Sequence, residues 1–378
     1  MEERLTPLTV VGMMSGSSLD GMDICICKFT PLVDGIITYE IIVADTIEYE
    51  PEWIDHLSNA LNFSMSDYFS FEADYSYCIS MMVKDFIQIL GVDVDLIASH
   101  GHTLDHRPDE GISVQIGDPG VIAALTGVDT VADFRIQDIT LGGQGAPIIP
   151  IAEKLLYPEF KSFINLGGIA NISIHTEDTI IAWDTIPCNQ VLNYQAMILG
   201  AEYDENGEWA KKGQYNEGLA ASWDALEYLA HDIPKSLDNN WIREEYLPII
   251  SNLKVDPKDA LNTACNHIAT QIKKDIQKFS IVLPEKIMIT GGGTHNTYLI
   301  SCIEKQLSTI GIQIFIPEKT VIDYKEATMT ALMGYLFAMD IPSTIPSVTG
   351  ANRSTIAGKY CKGLSTRNQK YLLRGLRD

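Results

Sequence analysis

One local pattern occurs twice in this chain: a strand, a glycine-rich turn, and two more strands. The first copy comprises strand-like runs over 8–14, 22–29 and 35–44, with GMMSGSSLDGMD (12–23) carrying the first turn. The second comprises 162–166, the turn Gly167-Gly-Ile-Ala-Asn171, 172–175 and 179–183. Such a duplication predicts two related α/β domains of ribonuclease-H-like type facing a central cleft. With two turns of this composition, the expected plan is that of actin-like ATPases and sugar kinases, whose domains close on a nucleotide. Helical spacing over 67–90, 257–279, from 296, and over 326–339 supplies the layers around the sheets. A chain of 378 residues is long enough for two cores. The domain boundary is expected in LGGQGAPIIP (141–150), where glycine and proline break regular structure. That gives an N-terminal domain of 1–145 and a C-terminal domain of 146–378, whose tail has the option of packing back on the first.

The turns carry the chemistry. Small residues let backbone N–H groups approach an anion, and hydroxyls add donors. Ser15, Gly16, Ser17, Ser18, Asp20 and Gly21 are therefore expected to hold phosphate, and Gly167, Gly168 and Asn171 to do so from the second turn. Asp20 and Asp23 are hard oxygen donors suited to Mg²⁺ on phosphate oxygens, Asp20 foremost. Gly291, Gly292 and Gly293 leave room for a flat base beside the backbone, with Asn296 next to them. ATP and Mg²⁺ are the expected cofactors.

Several other chemistries are disfavoured. A net charge of −23 opposes nucleic acid and anionic membranes as partners. The seven cysteines form no CxxC pair, which fits neither a metal cluster nor a disulfide framework, and Cys25 and Cys27 share one strand face as core residues. No GxxxxGK[ST] loop and no GxSxG elbow occurs. His100, His102 and His106 have a spacing that could suggest a metal, but nothing completes a set of ligands. Neither a basic leader followed by an apolar run nor an 18-residue apolar span is present, so a soluble, cytoplasmic protein is expected.

With these residues in place, the chain resembles the anhydro-N-acetylmuramic acid kinase family over about 11–358. The matching motifs run in order: GMMSGSSLDGMD, SHGHTLDHRP (99–108), QIGDP (115–119), VADFR (131–135), GGQGAP (142–147), NLGGIANIS (165–173), DENG (204–207), PKS (234–236), GGG-x-HN (291–296) and PSVTGA (346–351). The family has Gln where His102 stands. The resemblance implies a kinase that opens 1,6-anhydro-N-acetylmuramic acid with water and phosphorylates O6. The product, N-acetylmuramic acid 6-phosphate, belongs to cell-wall recycling. It implies Asp184 as the catalytic base and His100 and Glu326 as sugar contacts. The partner is then a small sugar, and a homodimer stays open.

One departure stands out. The family pattern Asp-Thr-Gly-Pro-Gly-Asn is here Asp184-Thr-Ile-Pro-Cys-Asn189. Ile186 and Cys188 are expected to add bulk to a cleft loop, with strain if either glycine needed positive φ. Two alternatives follow from that expectation: a kinase of another anhydro sugar such as levoglucosan, or a catalytically weak sugar- or nucleotide-binding sensor.

Overall fold

The computed structural model describes residues 7–16, 19–31, 37–176, 179–233, 235–280 and 282–364. The chain divides into two compact units, 1–157 with 324–378, and 158–323.

The first unit is built on β1 (Leu8–Ser15), β2 (Gly21–Pro31), β3 (Ile37–Glu48), β4 (Leu96–Arg107), β5 (Ile112–Ile116) and β6 (Thr130–Ala132). In the second are β7 (Ser162–Leu166), β8 (Ile169–His175), β9 (Ile180–Pro187), β10 (Lys286–Thr290) and β11 (Gln313–Phe315); β12 (Lys359–Cys361) returns to the first. The sheets are ordered β12-β6-β4-β1-β2-β3, with β5 on β4, and β11-β10-β7-β8-β9. In each, three successive strands form an antiparallel meander, and the first of them also pairs in parallel with a later strand. A third strand then adds in parallel outside that one. Read from the meander, both sheets run 3-2-1-4-5. The repeated sequence pattern thus produces a repeated α/β topology.

The domain boundaries differ from expectation. Residues 146–157 belong to the first unit because Ile151, Ala152 and Leu156 enter its core. The Tyr157 hydroxyl also bonds that of Tyr39 on β3. The helix Lys325–Ala338, expected in the second domain, lies in the first. Every residue from Ala327 to Leu336 is buried, so this helix is apolar all round and needs cover on every side. It packs with Val10, Cys25, Cys27 and Leu96 of the first sheet. The strand expected to end near Ser99 runs on to Arg107, because β5 pairs with its second half.

Gly12 makes the helix packing feasible. A Cβ there would lie 1.9 Å from the Ala327 carbonyl oxygen and 2.7 Å from Ala331 N, both backbone atoms that cannot rotate away. Gly12→Ala should cost the upper part of the ~1–3 kcal/mol range for overpacking, seen as a lowered chemical-denaturation midpoint. A wild-type midpoint would refute the contact.

Candidate active site

In the first unit, the turn between β1 and β2 is only partly described, because Ser17 and Ser18 lie outside the described residues. Ser15 is buried, with its hydroxyl 3.0 Å from His102 Nδ1. The residue standing where the family has Gln thus reaches the turn directly. Gly21 is packed, since a Cβ there would lie 2.5 Å from the Ile47 carbonyl oxygen. Asp20 is exposed at the end of the turn. The Asp23 carboxylate accepts from Thr46 Oγ1 at 2.6 Å. No set of three His, Cys, Asp or Glu residues converges among the described residues. Asp20 is a hard oxygen donor of the kind Mg²⁺ takes, and water and phosphate oxygens would have to complete such a site.

His100 is buried, and both ring nitrogens are engaged. Arg135 Nε donates to Nε2 at 3.0 Å, and Nδ1 lies 3.3 Å from Gly101 O. A guanidinium has only donors, so Nε2 accepts and Nδ1 carries the proton. Burial, reinforced by the Arg135 charge, pushes the imidazole down to about 3. His100 is therefore neutral, and its contact is with Arg135. Arg135 also donates through Nη1 to Gly145 O at 2.7 Å. Burial lowers its pKa, and the Glu326 charge opposes that shift. Glu326 is exposed at the start of its helix.

In the second unit, register brings the polar residues into one row. Thr290 of β10 pairs with Asn165 of β7, Asn165 with Asn171 of β8, and Asn171 with Asp184 of β9. Directly opposed residues share a sheet face, so these four side chains project to the same side. The register shifts between Ala170 and Asn171: Ala170 opposes Ile186, whereas Asn171 opposes Asp184, leaving Thr185 as an extra residue. Asp184 is half-buried, and burial raises its carboxyl pKa against the opposing bond from Leu237 N–H. That N–H donates to Oδ2 at 2.9 Å.

The glycine turn of this unit is tied down by its own carbonyls. The Gly167 carbonyl accepts from Asn189 N–H, and that of Gly168 from Cys188 and Gln190 N–H, tying the turn to the start of the Asn189–Ile198 helix. Gly291 has φ +89°, and a Cβ would meet Leu166 backbone at 2.8 Å. Gly293 is held against Leu166 and Asn189, whereas Gly292 is exposed, with its nearest neighbour at 3.9 Å. Asn296 caps the Thr297–Ser308 helix by accepting Leu299 N–H.

The altered loop does not behave as expected. Ile186 and Cys188 are fully buried in the core of the second unit, packed with Trp183, Val191 and Leu192. Neither has positive φ; Cys188 sits at −124°. Their bulk goes into the core, and the strain of a positive φ does not arise at either position.

Sequence reasoning passed over Asn165 as a site residue, although an asparagine inside the apolar strand Phe163-Ile-Asn-Leu166 is its signature. It gave no role to Tyr228, or to Lys235 of the PKS motif, which hold the Asp184 backbone and which only the fold brings there.

Each unit thus presents a glycine turn after the first strand of a 3-2-1-4-5 sheet, and the class of the protein, an ATP-dependent sugar kinase, comes from its family and relatives. A family profile, anhydro-N-acetylmuramic acid kinase, matches residues 8–362, and the chain belongs to that family. Its relatives include the anhydro-N-acetylmuramic acid kinases of Synechococcus elongatus, 30% identical over 93% of this chain and 98% of that one, and of Gloeothece citriformis, 31% identical over 92% and 97%. That of Aliivibrio fischeri is 30% identical over 92% of this chain and 97% of that one. A ROK family glucokinase from Streptomyces griseus, in complex with glucose and AMPPNP, overlays at TM-score 0.38 with 11% identity, covering 86% of this chain and 99% of that one. No helix among the described residues is long and apolar enough to cross a membrane.

Two measurements check this geometry. In ¹H–¹⁵N spectra His100 should remain the neutral Nδ1–H tautomer from pH 8 to pH 5; titration within that range would contradict it. Ile186→Ala should lower stability by about 2–5 kcal/mol, as for other buried aliphatic truncations. Denaturation indistinguishable from wild type would return Ile186 to the surface.

Proposed function

We propose that this kinase opens 1,6-anhydro-N-acetylmuramic acid and phosphorylates it with Asp184 as the general base. The alignment of Asp184 with Asn171 and Asn165, beside the Gly167-Gly168 turn, is the observation that carries this reading. Asp184 takes a proton from water as the water oxygen bonds to the anomeric carbon. The bond from that carbon to O6 breaks, and O6 takes the γ-phosphoryl group of ATP. Sugar, water and ATP thus become N-acetylmuramic acid 6-phosphate and ADP. A carboxylate base serves this step as it does in inverting glycoside hydrolysis.

The other residues have supporting roles. Ser15, Gly16, Ser17, Ser18 and Gly21 form the first phosphate turn, and Gly167, Gly168 and Asn171 the second. Asp20 would hold Mg²⁺, whose charge offsets that of the phosphates. Gly292, exposed and with open space beside it, is the best placed of the triplet to meet adenosine. Arg135, oriented by His100 and facing the charge of Glu326, is suited to sugar recognition in a way the neutral imidazole is not. The core positions of Ile186 and Cys188 remove the steric argument for a changed sugar or a silent sensor.

Asp184→Asn should lower ADP release with 1,6-anhydro-N-acetylmuramic acid by ~10²–10⁴-fold, the usual worth of a general base, with ATP affinity by calorimetry unchanged. In the wild type the base must be ionised and burial raises its pKa. Activity (kcat/KM) should therefore fall with decreasing pH through a value above the ordinary carboxylate range of about 4. Undiminished turnover by Asp184→Asn would sink the assignment.

A further inference from the structure

Asp184 is held at three of its polar groups. Its N–H donates to Lys235 O at 3.1 Å, its C=O accepts from Tyr228 Oη at 2.6 Å, and Oδ2 accepts from Leu237 N–H. Two of these bonds come from one short segment, 235–237, which is part of neither a helix nor a sheet strand. Such a segment needs an anchor of its own, and the structure supplies one. The Lys235 side chain is only 2% exposed, and its ammonium lies 3.1 Å from Asp275 Oδ2 on the Pro257–Phe279 helix. It also sits over the rings of Tyr228 (5.2 Å) and Phe279 (5.6 Å). The same Asp275 oxygen accepts from Trp183 Nε1 at 3.0 Å, and Trp183 immediately precedes Asp184 in β9. One carboxylate therefore fixes both the strand that carries Asp184 and the segment that bonds to it.

We propose that the buried Lys235–Asp275 pair is a positioning device for the catalytic base, setting the aim of the Asp184 carboxylate and its basicity through the Leu237 N–H. The proposal rests on the assignment of Asp184 as the base. Lys235 and Asp275 act through the segment and the strand, without touching the sugar. Among the described residues, the titratable groups linked to Asp184 are Tyr228, which bonds its carbonyl, and behind it Lys235 and Asp275. Loss of the anchor releases Leu237 N–H from the carboxylate, and a carboxylate that loses a donor becomes more basic.

Lys235→Met in the full-length enzyme should lower kcat by about 10²-fold, the scale of a small misplacement of a reacting group. The KM for 1,6-anhydro-N-acetylmuramic acid should stay within a few-fold of wild type. The acid limb of the kcat/KM profile should move to higher pH, and Lys235→Arg should recover most of both losses. If Lys235→Met does not fold, Asp275→Asn keeps the shape, strips the charge from the anchor and carries the same expectation. Wild-type kcat and an unmoved acid limb in the folded variant would overturn the proposal. A purely structural role would lower thermal stability and the active fraction, leaving the pH limb in place. Asp184→Asn, run alongside, separates the cases. If it is inactive while the pair's variants keep the wild-type profile, only the positioning role fails; if it is active, the base assignment fails.

Discussion

One extra residue in β9 governs the second unit. Along an ordinary strand, Trp183 and Ile186 would face opposite sides, because alternation has period two. Here Trp183 opposes Ile172 and Ile186 opposes Ala170, and all four lie in the core. Thr185, the residue without an opposite number, resolves the parity. By absorbing one step it lets both large side chains turn inward while Asp184 faces the other side with Asn171. Bulges of this kind re-aim a side chain next to a site. The Thr185 hydroxyl is buried without a hydrogen-bond partner among the described residues, a cost that a strand under no functional demand has no reason to carry.

That bulge also explains which parts of the site were legible in the sequence. The meanders were legible because alternating aliphatic residues end at glycine turns, and the repetition of that pattern fixed the topology of both sheets. The NLGG turn could be placed at the end of β7 from the order of the elements alone, whereas Asp184, expected at the end of its strand, lies inside β9, which runs on to Pro187. The direction of Ile186 and Cys188 could not. It depends on a parity change in WDTIP that leaves no mark in residue type, since Thr and Ile suit a regular strand as well as a bulged one. The return of Lys325–Ala338 to the first unit was hidden for a different reason. Helix periodicity reports what a segment needs to bury, and says nothing about which distant sheet will receive it. Gly12 stands in the strand-like run 8–14 that leads into the phosphate turn, and nothing in that pattern announces its main physical duty, which is to admit the helix.

In the first unit, the histidines show how burial can reverse the role that a residue type suggests. His100 was expected to offer a nitrogen to a sugar. Enclosed between Gly101 O and Arg135, it has neither nitrogen to offer and acts as an acceptor that orients a guanidinium. The geometry has a logic: an arginine with only donors, partly buried, needs acceptors that do not neutralise it. A neutral imidazole and the Gly145 carbonyl provide two, so the positive charge is kept for whatever anion approaches. A carboxylate in the place of His100 would hold the guanidinium more firmly and cancel its field.

The same reasoning bears on why an ion pair, and not an apolar contact, lies behind Asp184. Buried pairs often add little net stability compared with well-packed apolar residues. What they add here is direction. Asp275 Oδ2 takes both an indole N–H from β9 and the ammonium from the 235–237 segment, with Oδ1 3.4 Å from the same ammonium. An apolar substitute would fill the space and leave the segment free to slide along the strand. Sliding by a fraction of an ångström matters little to a core and a great deal to a carboxylate in the role proposed for Asp184, which has to meet a water oxygen at hydrogen-bond distance. The polar interior of this unit is best understood as the means by which a long helix, itself of ordinary amphipathic design, dictates where one carboxylate points.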